Sequence, residues 1–131
     1  MKASWCVLIF LISCLSFAQD SPLYRACNKK AATQYDLNVC ASEEAKRADD
    51  ELNRVYRLLL SKVRGDALAA DKVKAAQKAW VAYRDAYIAA MYPAEDKQAE
   101  YGSILPMEVD LLAAKLTRLQ TTALRELLKQ Y

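Results

Sequence analysis

Cys27 and Cys40 are the residues whose chemistry this sequence constrains most tightly, and what they do depends on where the chain is sent. A thiol pair thirteen positions apart closes into a disulfide in an oxidising compartment and stays reduced in the cytosol. Two further cysteines, Cys6 and Cys14, lie in an apolar leader that opens with Lys2 and runs from Trp5 to Phe17. The leader ends in Ser16-Phe17-Ala18, with small residues at the two positions read by signal peptidase. Residues 1–18 are therefore expected to be a removed signal peptide, leaving one domain over 19–131 that carries Cys27–Cys40 as a bridge. A structural role is expected for that bridge, because redox chemistry more naturally uses a Cys-x-x-Cys pair.

A second reading of the leader stays open. Leu11-Ile12-Ser13-Cys14 has the form of a lipoprotein processing box, after which Cys14 would be acylated and the protein tethered to a membrane. That would leave a short signal and place Leu15 and Phe17, rather than polar tether residues, directly after the anchor. Cleavage near Ala18 fits better, and the short apolar stretch favours a removed signal over a retained spanning helix.

Other chemistry is limited by what is missing. Histidine is absent, and the cysteines beyond the leader are the expected bridged pair. This removes the commonest general base, the commonest zinc ligands and a thiol nucleophile, so no metal or cofactor is expected. Carboxylate chemistry remains: a glycosidase could in principle draw a pair from Asp49, Asp50, Asp85 and Glu95, given a cleft and one acid of raised pKa. Asp49 and Asp50, being adjacent, point to different faces of a helix, and a narrow bundle offers little cleft, so no enzymatic activity is expected. The net charge of +3, falling to +2 once Lys2 leaves, is no nucleic-acid footprint.

The elements that must position these residues read as helices. Two glycines and three prolines are the only strong interruptions. Ala41, Ala45, Ala48, Leu52, Val55 and Leu59 form one stripe of a helix over about 36–64, with Asp36 or Asn38 as its cap and Gly65 as a left-handed stop. Val73, Ala76, Trp80, Tyr83, Tyr87 and Ala90 form the stripe of the next, which ends at Tyr92-Pro93. A last helix begins near Pro106 and turns Val109, Leu112, Leu116, Leu119, Ala123 and Leu127 inward. A short helix at about 22–32 precedes them. The expected fold is all-α: an up-down bundle of three long helices, with the short N-terminal helix stapled on by the disulfide. About 113 residues beyond the leader suffice for one thin core, whose aromatic set is Trp80 and eight tyrosines. Residues 43–51 carry a net charge of −3 and residues 111–131 a net charge of +3, read as solvated helix faces.

Several segments resemble a known family. Thr33-Gln34-Tyr35-Asp36-Leu37-Asn38-Val39-Cys40-Ala41, followed by Ala48-Asp49-Asp50-Glu51-Leu52-Asn53-Arg54-Val55-Tyr56, is similar to the signature of the LprI-type lysozyme-inhibitor N-terminal domain family. Residues 76–86, AQKAWVAYRDA, resemble its central helix, and Gly102-Ser103-Ile104 with Leu116-Thr117 its later segments. The resemblance implies a small exported helical domain; the founding member inhibits lysozyme, and most members have no assigned activity. Members often carry a second cysteine pair, which falls here on Ile88 and Leu112, and an arginine where Gln120 stands. The matching residues Asp49, Leu52, Asn53, Tyr56, Gln77, Trp80, Arg84 and Asp85 have plain structural roles. Asn53 and Tyr56 are placed for interhelical hydrogen bonds, Trp80 for core area, and Arg84 for pairing with Asp49 or Asp50.

The functional expectation is an exported periplasmic or secreted protein that binds a protein partner, either a lysozyme whose cleft it occludes or another envelope protein that it neutralises or supports. The connection from Tyr92 to Leu105 offers the contact residues Glu95, Asp96, Glu100, Tyr101 and Ser103, with a net charge of −2 that suits a cationic enzyme. The overall positive charge gives no long-range steering toward one.

Overall fold

A computed structural model describes residues 20–131. The apolar segment expected to be a signal peptide, its two cysteines and the cleavage expected near Ala18 lie outside these residues. Five α-helices follow one another: α1 Pro22–Lys30, α2 Gln34–Lys62, α3 Ala67–Met91, the short α4 Lys97–Tyr101, and α5 Leu105–Leu128, with one 3-10 turn at Gly102–Ile104. The fold is all-α, three long helices with a short N-terminal helix stapled to them, and no strand occurs among the described residues.

Local chemistry sets most boundaries. Ser21 caps α1 by accepting from the Tyr24 amide at 3.1 Å, with Pro22 in the first turn. Thr33 caps α2, which starts two residues before the expected Asp36. The Thr33 hydroxyl accepts from the Asp36 amide at 3.1 Å, and the Asp36 carboxylate accepts from the Thr33 amide at 3.0 Å, a reciprocal capping box. These bonds, led by the one from Thr33, hold the Asp36 carboxyl below its usual range. Gly65 does not act as a left-handed stop: α2 closes at Val63, and the only positive φ among the described residues is that of Gly102. Asp66 then caps α3 through the Ala69 amide at 2.9 Å.

α2 and α5 form the main packed pair; α1 lies on α2, and α3 lies more thinly against α5. The core is split. One apolar cluster gathers Leu52, Val55, Leu59, Val63, Val73 and Leu124, with Trp80 and Tyr56 packed against it. The other gathers Tyr24, Cys40 and Ala41, with Cys27, Met107 and Leu111 at its edge. Between them the α2–α5 contact is built from Glu44, Ala48, Ala114, Thr117 and Thr121, all buried. Such small side chains let the two helices approach closely. Cys27 and Cys40 are joined, Cα to Cα 5.7 Å, and fasten the end of α1 to the second turn of α2.

Two of the three apolar stripes are rotated from their expected positions. On α2 the stripe is as read except that Ala45 is only half-buried, with Cys40 and Glu44 added. On α3 the inward residues are Val73 and Gln77, with Trp80, Arg84 and Ile88 half-buried, while Ala76, Tyr83, Tyr87 and Ala90 face solvent. On α5 they are Ala114, Thr117, Thr121 and Leu124, while Leu119 and Ala123 are exposed. Both helices carry alanine or leucine on nearly every face, so hydrophobicity alone leaves the rotation undetermined; polar partners decide it. Gln120 donates to Gln77 at 3.2 Å between α5 and α3, while the buried Thr121 hydroxyl is satisfied within α5 by donating to the Thr117 carbonyl at 2.8 Å.

Candidate functional site

The acidic connection is an ordered element. Its central residues form α4, capped by Asp96 through the Ala99 amide at 2.9 Å. The Tyr101 hydroxyl accepts from the Ala94 amide at 3.3 Å, and its ring meets Tyr92 edge-on at 5.4 Å. Asn38, expected as a helix cap, instead donates to the Ser103 carbonyl at 3.1 Å and ties the connection to α2. Glu95, Asp96, Glu100 and Ser103 are exposed, and Tyr101 is half-buried. Lys97 is turned to the Tyr92 carbonyl at 2.8 Å. Burial, helped by Glu108, pushes the Tyr92 phenol up, so it stays neutral.

Just before this connection, α3 exposes Tyr83, Tyr87 and Met91, spaced four apart along one helix face. The two tyrosine rings lie 5.8 Å apart. Tyr83 and Tyr87, which the sequence places on the inward stripe, stand with Met91 in an apolar strip in solvent that leads along the chain into the acidic segment.

The motif residues divide between core and cleft. Leu52 is buried, Tyr56 and Trp80 pack against the main apolar cluster, and Gln77 bridges to α5. Asn53 is exposed, and among the described residues no side-chain hydrogen bond joins Asn53 or Tyr56 to another helix. Asp49, Arg84 and Asp85 line a cleft of about 440 Å³ between α2, α3 and α5, with Lys46, Asp50 and Asp110. Arg84 lies over the Trp80 ring at 5.2 Å, reaches Asp85 at 2.9 Å and Asp49 at 3.7 Å.

A cleft of this size was not expected from a narrow bundle. Asp50 is held by Lys46 at 2.7 Å, and Asp49 and Asp85 by Arg84, while Asp110, the fourth carboxylate of the cleft, has no ion-pair partner among the described residues. Desolvation raises the Asp110 carboxyl. Glu95 does not line this cleft. Ile88 lines it and Leu112 is half-buried, so both positions of the expected second cysteine pair carry apolar side chains on or beside packed faces.

The most elaborate polar site escaped the sequence reading. Glu44 is 1% exposed and accepts four hydrogen bonds: from the Ser21 amide at 3.0 Å, the Ser21 hydroxyl at 2.6 Å, Arg47 at 2.9 Å and Arg118 at 2.7 Å. Burial alone would raise its pKa, but the Ser21 and Arg47 bonds and the charge of Arg118 outweigh it and hold the carboxyl at about 2. Two turns further along, Arg125 pairs with Glu51, which Arg54 and Arg125 also hold at about 2. The segregated charges at 43–51 and 111–131 are thus partly matched across the α2–α5 contact rather than left as solvated faces. The available signal was a glutamate one turn before Ala48 on the apolar stripe of α2.

The family described as Lysozyme inhibitor LprI matches the chain over residues 27–124. The chain belongs to this family. An uncharacterized protein of Rhizobium meliloti strain 1021 is 35% identical to it over 140 residues, covering 98% of this chain and 97% of that one. No solved structure matches the chain. The LprI match spans the disulfide, Glu44 with its two arginines, the motif cleft and the acidic segment, while Ser21 lies before it. It agrees with an inhibitor that works by binding a protein rather than with an enzyme. Among the described residues no helix is long and apolar enough to cross a membrane.

Proposed function

We propose that this LprI-family chain is an exported, periplasmic or secreted binding protein, its leader removed near Ala18, that occludes the cleft of a peptidoglycan-cleaving lysozyme. The observation that carries the reading is the exposed Tyr83–Tyr87–Met91 ladder of α3 running into the acidic segment that holds Glu95, Asp96 and Glu100. Interfaces concentrate their energy in aromatic anchors surrounded by a polar rim, and tyrosine supplies contact area at little entropic cost. An acidic rim complements a cationic enzyme at short range, which matters more than the small net charge of the whole chain. The rigidity of α4 lowers the ordering cost of such contacts.

A turbidity assay of cell-wall lysis tests this with the bridged protein and lysozymes of several classes. Inhibition at micromolar protein is expected, and Tyr83→Ala combined with Tyr87→Ala should weaken it by a factor of at least ten, about 1.4 kcal/mol. No inhibition of any class would overturn the reading. Inhibition that survives both the tyrosine pair and charge reversal at Glu95 and Glu100 would move the contact to another face.

A further inference from the structure

A groove of about 590 Å³ runs between α1, α2 and α5, away from the aromatic strip and the acidic segment. Its size falls within the range of roughly 300–1,000 Å³ usual for small-molecule sites. Leu23 of α1 and Leu119 of α5 line it with 63% and 53% of their surface exposed, beside Pro22 and Ala48. Arg47 and Arg118 line it as well, around Glu44.

The hydrogen-bond balance at that polar end does not close. A carboxylate offers about four lone-pair sites, and Glu44 has all four filled, two by Ser21 and one by each arginine. Each guanidinium has five N–H donors and spends one on Glu44. The Nε atoms of both Arg47 and Arg118 are buried without an acceptor. Charge is unbalanced in the same sense: two cations face one buried anion, and Glu43 reaches only Arg47, at 3.7 Å from the exposed side. Those two Nε atoms are sealed by protein, but the Arg47 and Arg118 side chains keep 35% and 25% of their surface exposed and have N–H donors left over, and planar guanidiniums are the side chains best matched to a second carboxylate.

We propose that this groove binds a monoanionic carboxylate with an apolar chain, of the fatty-acid class. The carboxylate adds the missing negative charge beside Arg47 and Arg118, and the chain lies between Leu23, Pro22 and Leu119. The proposal is independent of lysozyme binding, because it uses none of the residues assigned to that surface.

The test is calorimetric titration of the purified protein, Cys27–Cys40 bridged, with dodecanoate below its micelle concentration. Acetate and dodecyltrimethylammonium serve as the arms lacking the chain and the anion. Saturable binding of one dodecanoate per chain is expected, at least tenfold tighter than either control. Leu119→Glu and Leu23→Glu, both at exposed positions that leave the core untouched, should each weaken dodecanoate at least tenfold. Arg118→Gln should erase the preference over the cationic amphiphile. No saturable dodecanoate binding, equal binding of the cationic amphiphile by the unaltered protein, or indifference to both leucine substitutions would overturn the proposal.

Discussion

Arg118 on α5 donates to Glu44 on α2 at 2.7 Å, across 74 residues of sequence, and Arg125 reaches Glu51 across the same separation. Two pairs offset by seven residues on both helices mean that α2 and α5 run parallel and in register, as the first and last long helices of an up-down-up bundle must. The carboxylates of one helix and the guanidiniums of the other thus mark the alignment of the main packed pair.

Glu44→Ala should destabilise the protein by about 3–5 kcal/mol, because it leaves Arg47 and Arg118 without their shared counter-ion and frees Ser21. Arg125→Ala, whose partner Glu51 is partly exposed, should cost less than about 1 kcal/mol. Guanidinium unfolding curves of the two variants compare them directly, and equal losses would contradict the buried-node account.

Stability should fall as pH drops from about 4.5 toward about 2. The native Glu44 carboxyl titrates near 2 against its ordinary 4.5, so in that window the unfolded chain binds more protons and acid favours it. The stabilisation is fully present above the ordinary value, on the order of 3 kcal/mol for this group. Asp110 works in the opposite sense: burial raises it, so its contribution falls as pH climbs past its ordinary 3.8. Denaturation midpoints between pH 2 and 6 should rise with pH, and Glu44→Gln should flatten the rise.

Replacing Cys27 and Cys40 together by serine should cost about 3 kcal/mol on the chain-entropy account. The loss should be local as well, with faster amide exchange across α1, which the bridge fastens to α2. Mass spectrometry without reductant should find one intramolecular bridge and no free thiol at either position.

Gly102 and Gly65 should respond with opposite signs to alanine. Gly102 has φ 66° and ψ −157°, a region that L side chains rarely adopt, so Gly102→Ala should cost about 1–3 kcal/mol and disturb the end of the acidic segment. Gly65 has open space around a built Cβ and no positive φ, so Gly65→Ala should be neutral or stabilising by up to about 1 kcal/mol. Thermal melts of the two variants check this.

Local signals carried much of the fold. The helices followed from punctuation: Pro22, Pro93 and Pro106 at helix ends, Asp36 in a cap, and the apolar stripe of α2, whose faces differ sharply in polarity. The rotations of α3 and α5 were not legible, because alanine and leucine surround both helices and a hydrophobicity pattern cannot choose between nearly equal faces. Tyr83 and Tyr87 were therefore placed in the core while they stand in solvent, and Leu119 likewise. The sequence offers Asp49 or Asp50 as the partner of Arg84 across the bundle; the structure selects Asp49, at 3.7 Å, and gives Asp50 to Lys46.

The sequence by itself determined the three long helices and the short first one, the two cysteines available for a bridge, the family, and the acidic character of the connection, since each is written in local residue types and spacing; α4 within that connection was not among them. Only the tertiary structure decided which faces are buried, that Glu44 is a saturated node between two arginines, and that an apolar groove opens beside it. Those facts depend on contacts between residues as far apart as Ser21, Glu44 and Arg118. No local pattern encodes them, because the free energy of burying a charge is set by the partners that the fold brings to it.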